Sequence, residues 1–141
     1  DLALSQQSEA AARDILAAGA QPSDTLLVWG YRPDVFVYTG LPAGTRFLDS
    51  QPLTGVIADR HLVQSTPSAP VIAQRNRQEL TGARPTFIAD GLGPYNPDLA
   101  IINYPDLETW LLDYVVFGHR NGFVLYKLAP GPDRSTLGQK R

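Results

Sequence analysis

Residues 26–47 read LLVWGYRPDVFVYTGLPAGTRF, and their pattern predicts the start of the fold. The apolar run over 26–29 stops at Gly30, and a short apolar run bounded in this way is typical of a buried strand. Pro33 suits the first turn of a helix because the N–H that proline lacks has no partner there. Asp34 supports the same assignment, since a carboxylate stabilises the positive end of the helix dipole. The first half of the stretch therefore predicts a strand followed by a short helix.

The second half of the stretch predicts the end of that helix and a further strand. Gly40 suits a helix end because glycine adopts the left-handed backbone conformation without strain. Residues 45–48, which read Thr-Arg-Phe-Leu, have the character of a second strand. Strand, helix and strand in this order predict a compact βαβ unit, which closes with a right-handed crossover.

Helices and strands alternate along the rest of the chain. Apolar periodicity and capping residues predict helices over 5–18, 69–81 and 106–112 and strands over 86–89, 114–117 and 123–126. The segment His119–Gly122 contains Asn-Gly, a strong hairpin signal, and joins the last two strands. This alternation predicts an α/β fold, specifically a small Rossmann-like α/β/α sandwich with a mostly parallel sheet and a C-terminal antiparallel hairpin.

Length and local composition predict one domain with a polar tail. The chain has 141 residues, a size that suits a single α/β domain over residues 1–129. Residues 130–141 are rich in glycine, proline and charged side chains, and this composition predicts a disordered C-terminal tail. Residues 49–67 form a long connection within the domain, and connections of this length often carry function.

Composition disfavours several classes of function. The chain has no cysteine, which excludes disulfides, thiolate nucleophiles and cysteine-based zinc sites. Its net charge of −2 argues against a nucleic-acid partner. No apolar run approaches the roughly 20 residues that a membrane-spanning helix needs.

One glycine-rich loop invites comparison with nucleotide-binding loops. Gly91 and Gly93 follow a predicted strand, but position 96 is Asn96, so the third glycine of the dinucleotide-binding motif is missing. Pro94 and Pro97 occupy the place where a helix would present N–H groups to a pyrophosphate. A glycine-rich Walker loop with its lysine is also absent from the sequence, so no cofactor is predicted.

The histidines do not form a recognisable catalytic or metal site. His61 and His119 are the only two, and no Gly-x-Ser-x-Gly elbow accompanies them. Asp59 and His61 could ligate a metal, but two ligands without a second pair make a poor zinc site. We therefore predict no catalytic residue and no metal site.

The carboxyl edge of the predicted sheet is the best candidate for ligand binding, because ligands of open α/β sheets bind where parallel strands end. Arg32 follows the first strand and Asp90 follows a later one. The long connection adds Asp59, Arg60 and His61. We predict that these five side chains line a ligand-facing edge. The structural alternative is an ion pair between Arg32 and Asp90 beside a solvent-facing loop.

Three groups of residues carry a resemblance to a known family. They are Trp29-Gly30, Pro33-Asp34, Tyr38, Thr39-Gly40 and Arg46-Phe47 in the opening stretch, Arg84–Asp90 in the middle and Phe123–Lys127 near the end. This pattern resembles the C-terminal extracytoplasmic domain of bacterial GT-C-type membrane glycosyltransferases. Those enzymes are related to protein O-mannosyltransferases and to lipid A aminoarabinose transferases.

The resemblance implies an activity for a whole enzyme and an accessory role for this part of it. Enzymes of that family take a sugar from a polyprenyl-phosphate donor, and their catalytic carboxylate lies in a loop among the membrane helices. The chain would then be a soluble periplasmic domain that covers the active site or binds an acceptor or partner, and would not be catalytic alone. Its partners would be the missing transmembrane part of the same chain and a polyprenyl-phosphate sugar or acceptor, at the bacterial inner membrane.

Two other interpretations stay open from the residues themselves. One is an independent Rossmann-like domain that binds a small molecule, or acts as an enzyme, through the edge that holds Arg32 and Asp90. The other is a protein-interaction module that uses the long connection over residues 49–67.

Overall fold

The computed structural model describes residues 2–57, 63–120 and 122–131, in which a four-stranded sheet lies between helices on both faces. Within these ranges the helices are α1 (Leu2–Ala17), α2 (Asp34–Thr39), α3 (Gln51–Thr54), α4 (Pro70–Leu80) and α5 (Glu108–Leu111). The strands are β1 (Leu26–Trp29), β2 (Phe87–Asp90), β3 (Tyr114–Arg120) and β4 (Phe123–Leu128). Short 3-10 turns connect β2 to α5; they are Pro97–Leu99, Ile101–Asn103 and Pro105–Leu107.

The sheet is mixed, and its strand order is β1-β2-β4-β3. β1 runs parallel to β2, with Leu26 opposite Phe87 and Trp29 opposite Asp90. β4 runs antiparallel to both β2 and β3. The α/β class and the C-terminal antiparallel hairpin are therefore confirmed, whereas the prediction of a mostly parallel sheet was wrong. The reason is that the tight turn makes β3 and β4 antiparallel, and β4 then inserts directly beside β2.

The strand predicted over residues 45–48 does not form, so the predicted compact βαβ unit was wrong as well. The chain touches the outer edge of β1 slightly earlier, where the Leu26 N–H donates to the Pro42 carbonyl (2.9 Å). The Thr45 hydroxyl then accepts the Phe47 N–H (3.0 Å), and this local bond bends the chain away from the sheet. The parallel partner of β1 is β2, which the chain reaches only after α2, α3 and α4.

β1 and β2 are buried on both faces, as continuous apolar runs predict. One apolar core joins these strands and β4 to α1 and α2; its members include Ala11, Ile15, Leu26, Val28, Val35, Phe87 and Leu125. The opposite core joins the sheet to α3, α4 and α5; its members include Leu27, Trp29, Leu53, Leu80, Ile88, Leu107 and Trp110. Alternate residues of each strand thus serve the two cores.

The β3–β4 hairpin extends further than its apolar residues predict. The ladder extends to the pair Arg120 and Phe123, and Gly122 just before β4 has a φ of 84°, a conformation that glycine adopts easily. His119 lies in β3 opposite Val124, so its predicted position in the turn was wrong. A register shift between Val116 and Gly118 marks a bulge in β3.

Two sequence predictions fall mainly on parts of the chain that the structure does not describe. They concern the C-terminal tail, of which residues 132–141 lie outside the described ranges, and the middle of the long connection, residues 58–62. Of the helices in the described ranges, none combines the length and the apolar character that crossing a bilayer requires.

Candidate functional site

The carboxyl ends of β1 and β2 meet at one edge of the sheet, as parallel pairing requires. Their backbones come close just past the strands, because a Cβ added to Gly30 would lie 3.2 Å from the carbonyl carbon of Gly91. β4 starts and β3 ends at the same edge, since β4 is antiparallel to β2. We call this side of the sheet the carboxyl edge.

Arg32 lies at the carboxyl edge but points into the fold, and it is only 8% exposed. Its guanidinium donates to the Ser8 hydroxyl (2.7 Å) and to the Leu4 carbonyl, both in α1. The guanidinium carbon also lies 4.7 Å from the centroid of the Phe123 ring. Arg32 therefore holds α1 against the sheet, and it forms no ion pair with Asp90 in the described structure.

Asp90 ends β2 and is 1% exposed. One carboxylate oxygen accepts the N–H groups of Leu92 (2.9 Å) and Gly93 (2.8 Å), and the other accepts the Ile101 N–H (3.0 Å). These bonds fold the loop after β2 back over the end of the strand. Burial raises the pKa of Asp90 above its ordinary value, against the opposing effect of the three N–H donors.

The raised pKa of Asp90 predicts how stability depends on pH. Between the ordinary aspartate pKa of about 3.9 and the raised value of the folded state, Asp90 is protonated to a greater extent in the native protein than in the unfolded chain. The contribution of Asp90 to the free energy of unfolding should therefore fall as the pH rises through this window. We expect Asp90→Asn to remove that decline, and urea unfolding at a series of pH values measures it.

A surface carboxylate provides the control for this prediction. Asp113 is exposed and pairs with Arg84 (2.8 Å), so Asp113→Asn removes one acidic group without touching the buried site. This control should keep the decline with pH. If Asp90→Asn shows the same slope as the parent, Asp90 is not the group responsible.

The other predicted edge residues, Asp59, Arg60 and His61, lie outside the described ranges. The described start of their connection does reach the carboxyl edge, because the Ser50 N–H donates to the Gly30 carbonyl (3.2 Å). The long connection thus begins at the predicted edge, although the placement of its three polar residues stays a prediction.

A cleft of about 520 Å³ opens at the carboxyl edge, between the loop after β2 and the part of the hairpin where β3 ends and β4 starts. We call it the carboxyl-edge cleft. Its lining includes Asp90, Pro97, Ile102, Asn103, His119, Val124 and Tyr126. A volume in this range, with apolar walls and a few polar groups, is usual for a small-molecule site.

Tyr126 supplies the cleft with a polar group that is available to a ligand. Its hydroxyl makes no hydrogen bond to any described residue, although only 4% of the residue is exposed. Burial, and to a smaller extent the charge of Asp90, raises the pKa of Tyr126 to about 12. The phenol is therefore protonated and neutral near pH 7, and it can donate one hydrogen bond into the cleft.

Asn103 and His119 add further polar groups to the lining. The Asn103 amide nitrogen donates to the Asp98 carbonyl (2.9 Å), which leaves its amide oxygen as an acceptor. His119 is exposed on β3. Arg120 also lines the cleft, but its guanidinium is paired with Asp14 (2.7 Å). Hydrogen bonding is therefore the main polar chemistry that this cleft offers.

Sequence reasoning missed Tyr126 and Asn103 as site residues. Tyr126 appeared only as a member of the last predicted strand and of the family resemblance, and Asn103 lies in a segment without periodicity. The alternation of β4 indicates that Tyr126 and Val124 share a face, but only the strand order brings that face beside the loop after β2.

The backbone N–H groups of the loop at Gly91–Gly93 are bonded within the fold. The N–H groups of Leu92 and Gly93 donate to the Asp90 carboxylate, so they are not presented to a phosphate. A short 3-10 turn at Pro97–Leu99 stands where a nucleotide-binding fold has a long helix. Within residues 2–57, 63–120 and 122–131, no three histidine, aspartate or glutamate side chains are grouped so that they could hold a metal ion.

Comparisons of this chain with protein family models, with curated proteins and with solved structures find no match. The chemistry of the carboxyl-edge cleft is therefore the structural guide to function, beside the sequence resemblance.

Proposed function

We propose that this chain is the extracytoplasmic C-terminal domain of a polyprenyl-phosphate-dependent membrane glycosyltransferase, with an accessory binding role. The observation that carries the binding role is the free, neutral hydroxyl of Tyr126 in the carboxyl-edge cleft. The assignment to the glycosyltransferase rests on the sequence resemblance. In this proposal the domain is not catalytic alone, and it acts beside the membrane part of the same chain.

The residues that carry the resemblance have structural roles in this domain. They therefore support a scaffold in common with the glycosyltransferase domain and not a common active site. The Trp29 indole N–H donates to the Leu99 carbonyl (2.8 Å), and Gly40 ends α2 in the left-handed conformation with a φ of 68°. Arg46 pairs with Glu79 (2.6 Å) and covers the Phe47 ring.

The chemistry of the cleft supports a hydroxyl-bearing ligand such as an acceptor or a sugar. Tyr126 can donate and Asn103 can accept a hydrogen bond, and Pro97 and Ile102 add apolar surface to the lining. Sugars combine hydroxyl groups with apolar ring faces, so they match both kinds of lining. Arg32 is committed to α1, so it does not offer its charge to a lipid phosphate.

The gene provides the first test of this proposal. A membrane glycosyltransferase of this class should encode several apolar segments of roughly 20 residues ahead of this chain. A gene without such segments contradicts the assignment. It would favour the second candidate, an independent Rossmann-like small-molecule-binding domain, to which the volume of the cleft also lends support.

Transfer activity provides the second test. In the full-length enzyme, supplied with a polyprenyl-phosphate sugar and its acceptor, we expect Tyr126→Phe to lower kcat/KM by about tenfold. This is the effect of losing one hydrogen bond worth about 1.4 kcal/mol. The variant should fold normally, because the hydroxyl has no partner among the described residues.

Tyr38→Phe is the matched control for Tyr126→Phe. The Tyr38 hydroxyl bonds the Ser5 hydroxyl (2.7 Å) on the far side of the sheet, so its loss should leave transfer unchanged. Equal rates for the parent, Tyr38→Phe and Tyr126→Phe, with all three folded, would remove the cleft from the mechanism.

A further inference from the structure

The segment of 3-10 turns over residues 97–107 forms a wall of two cavities. On one side lies the carboxyl-edge cleft, whose opposite wall is the β3–β4 hairpin. On the other side a smaller cavity of about 280 Å³ lies between this segment, α4 and the end of the long connection, and we call it the α4 pocket. Asn103 lines both cavities and is exposed, so the two are neighbours across its side chain.

Arg77 of α4 is held rigidly in the wall of the α4 pocket, and its side chain is only 14% exposed. Its Nε donates to both carboxylate oxygens of Asp106 (3.0 and 2.9 Å), and its Nη1 donates to the Leu53 carbonyl (2.8 Å). The guanidinium carbon lies 4.7 Å from the centroid of the Tyr104 ring. Nη2 bonds to no described residue, so it remains as a donor whose position is fixed before a ligand arrives.

Tyr104 and Asp98 add further polar groups to the lining of the α4 pocket. The Tyr104 hydroxyl bonds to no described residue, and burial raises the pKa of Tyr104 to about 12, so the phenol is neutral near pH 7. One carboxylate oxygen of Asp98 accepts the Ser65 hydroxyl (2.9 Å), and the other is left as an acceptor. The pocket therefore offers both donors and acceptors.

The charges around the α4 pocket select against an anionic ligand. Arg77 is the only cation among its described lining residues and is paired with Asp106, whereas Asp98 adds a second carboxylate. A neutral ligand whose groups both donate and accept fits this lining better, and the hydroxyls of a sugar have that character. Pro67 and Pro70 add apolar surface that suits the faces of a sugar ring.

We propose that the α4 pocket is a second sugar subsite, and that the ligand of this domain is a saccharide of at least two rings that lies across Asn103 from one cavity to the other. The proposal rests on the binding role proposed for the carboxyl-edge cleft and names the ligand more closely. Size supports it, because about 280 Å³ falls just below the roughly 300–1,000 Å³ of a complete small-molecule site. The α4 pocket thus suits one part of a ligand that the larger cleft also holds.

Titration of the isotope-labelled chain with saccharides tests the proposal, and amide chemical shifts are the measurement. The probes are the methyl glycosides of glucose, galactose, mannose and N-acetylglucosamine, and disaccharides of the same sugars. At least one disaccharide should bind about tenfold more tightly than its methyl glycoside and should shift amide signals at both cavities. If no disaccharide binds, or none binds more tightly than its methyl glycoside, the proposal is overturned.

Two hydroxyl deletions assign the sugar rings to the cavities. Tyr104→Phe and Tyr126→Phe should each weaken binding of the disaccharide by about three- to tenfold, the effect of losing one neutral hydrogen bond. Tyr38→Phe, on the far side of the sheet, is the matched control and should leave the affinity unchanged. Thermal melting checks that each variant is folded.

The outcomes separate this inference from the proposed function. A loss of affinity with Tyr126→Phe but not with Tyr104→Phe would keep the ligand in the carboxyl-edge cleft and would remove the α4 pocket as a subsite. A disaccharide whose affinity neither variant changes would contradict both sites. Binding through both cavities in a chain whose gene lacks membrane segments would keep this inference and contradict the glycosyltransferase.

Discussion

Replacing Trp29 with alanine is expected to lower the free energy of unfolding by about 3–5 kcal/mol, as truncation of a buried tryptophan usually does. Trp29 ends β1 and is fully buried. Its ring meets Tyr104 edge to face with centroids 5.5 Å apart, and its indole N–H donates to the Leu99 carbonyl (2.8 Å). The variant thus loses apolar packing and leaves a buried carbonyl unpaired. Urea unfolding measures the change.

Trp29→Phe separates the two contributions. It keeps most of the ring volume but loses the N–H, so it should cost about 1–3 kcal/mol, the penalty of an unpaired buried carbonyl. The order of stability should be parent, then Trp29→Phe, then Trp29→Ala. A Trp29→Ala protein that melts within a degree or two of the parent would show that Trp29 is not a core residue.

Gly30→Ala is expected to cost about 2–6 kcal/mol, from backbone strain and from steric overlap together. Gly30 has a φ of 126°, which side-chain-bearing residues rarely adopt. An added Cβ would also lie 3.2 Å from the carbonyl carbon of Gly91 and 3.3 Å from the Leu92 nitrogen. Backbone atoms cannot rotate away as a side chain can, so the parallel pair of strands has to separate at its carboxyl end.

Gly40→Ala is the matched control for the overlap. Gly40 also has a positive φ, 68°, but a Cβ there would meet nothing within 4 Å. Only the conformational cost of about 1–2 kcal/mol should appear. Urea unfolding of both variants gives the comparison. Equal losses would mean that the close approach of Gly30 and Gly91 contributes nothing to stability.

Local pattern was enough to predict most of the individual elements. The apolar run before Gly30 predicts β1, Pro33 and Gly40 bracket α2, and Asn-Gly before residue 123 predicts the hairpin. Each signal acts within a few residues, because burial of short runs, capping and turn conformation are local effects. The strand predicted at 45–48 failed for the same reason, since a local threonine turn outweighed its apolar and β-branched character.

The arrangement of the strands was decided by tertiary structure. β4 lies between β2 and β3, and nothing within its own residues specifies that its partner on one side is the distant β2. The same holds for the site. Arg32 was predicted to face a ligand. In the structure α1 lies against Arg32 instead, and the Ser8 hydroxyl accepts a hydrogen bond from its guanidinium.

The sequence by itself indicated α1, α2, α4 and α5, the buried strands, the hairpin and the carboxyl edge as the place where β1 and β2 end together, but it gave no sign of α3 within the long connection. Only the tertiary structure decided that Asp90 binds its own loop, that Tyr126 opens into a cleft and that β3 lies at the edge of the sheet. The physical reason is that periodicity records which side of an element is buried. The contacts of a buried or exposed side chain depend on elements far away in the chain.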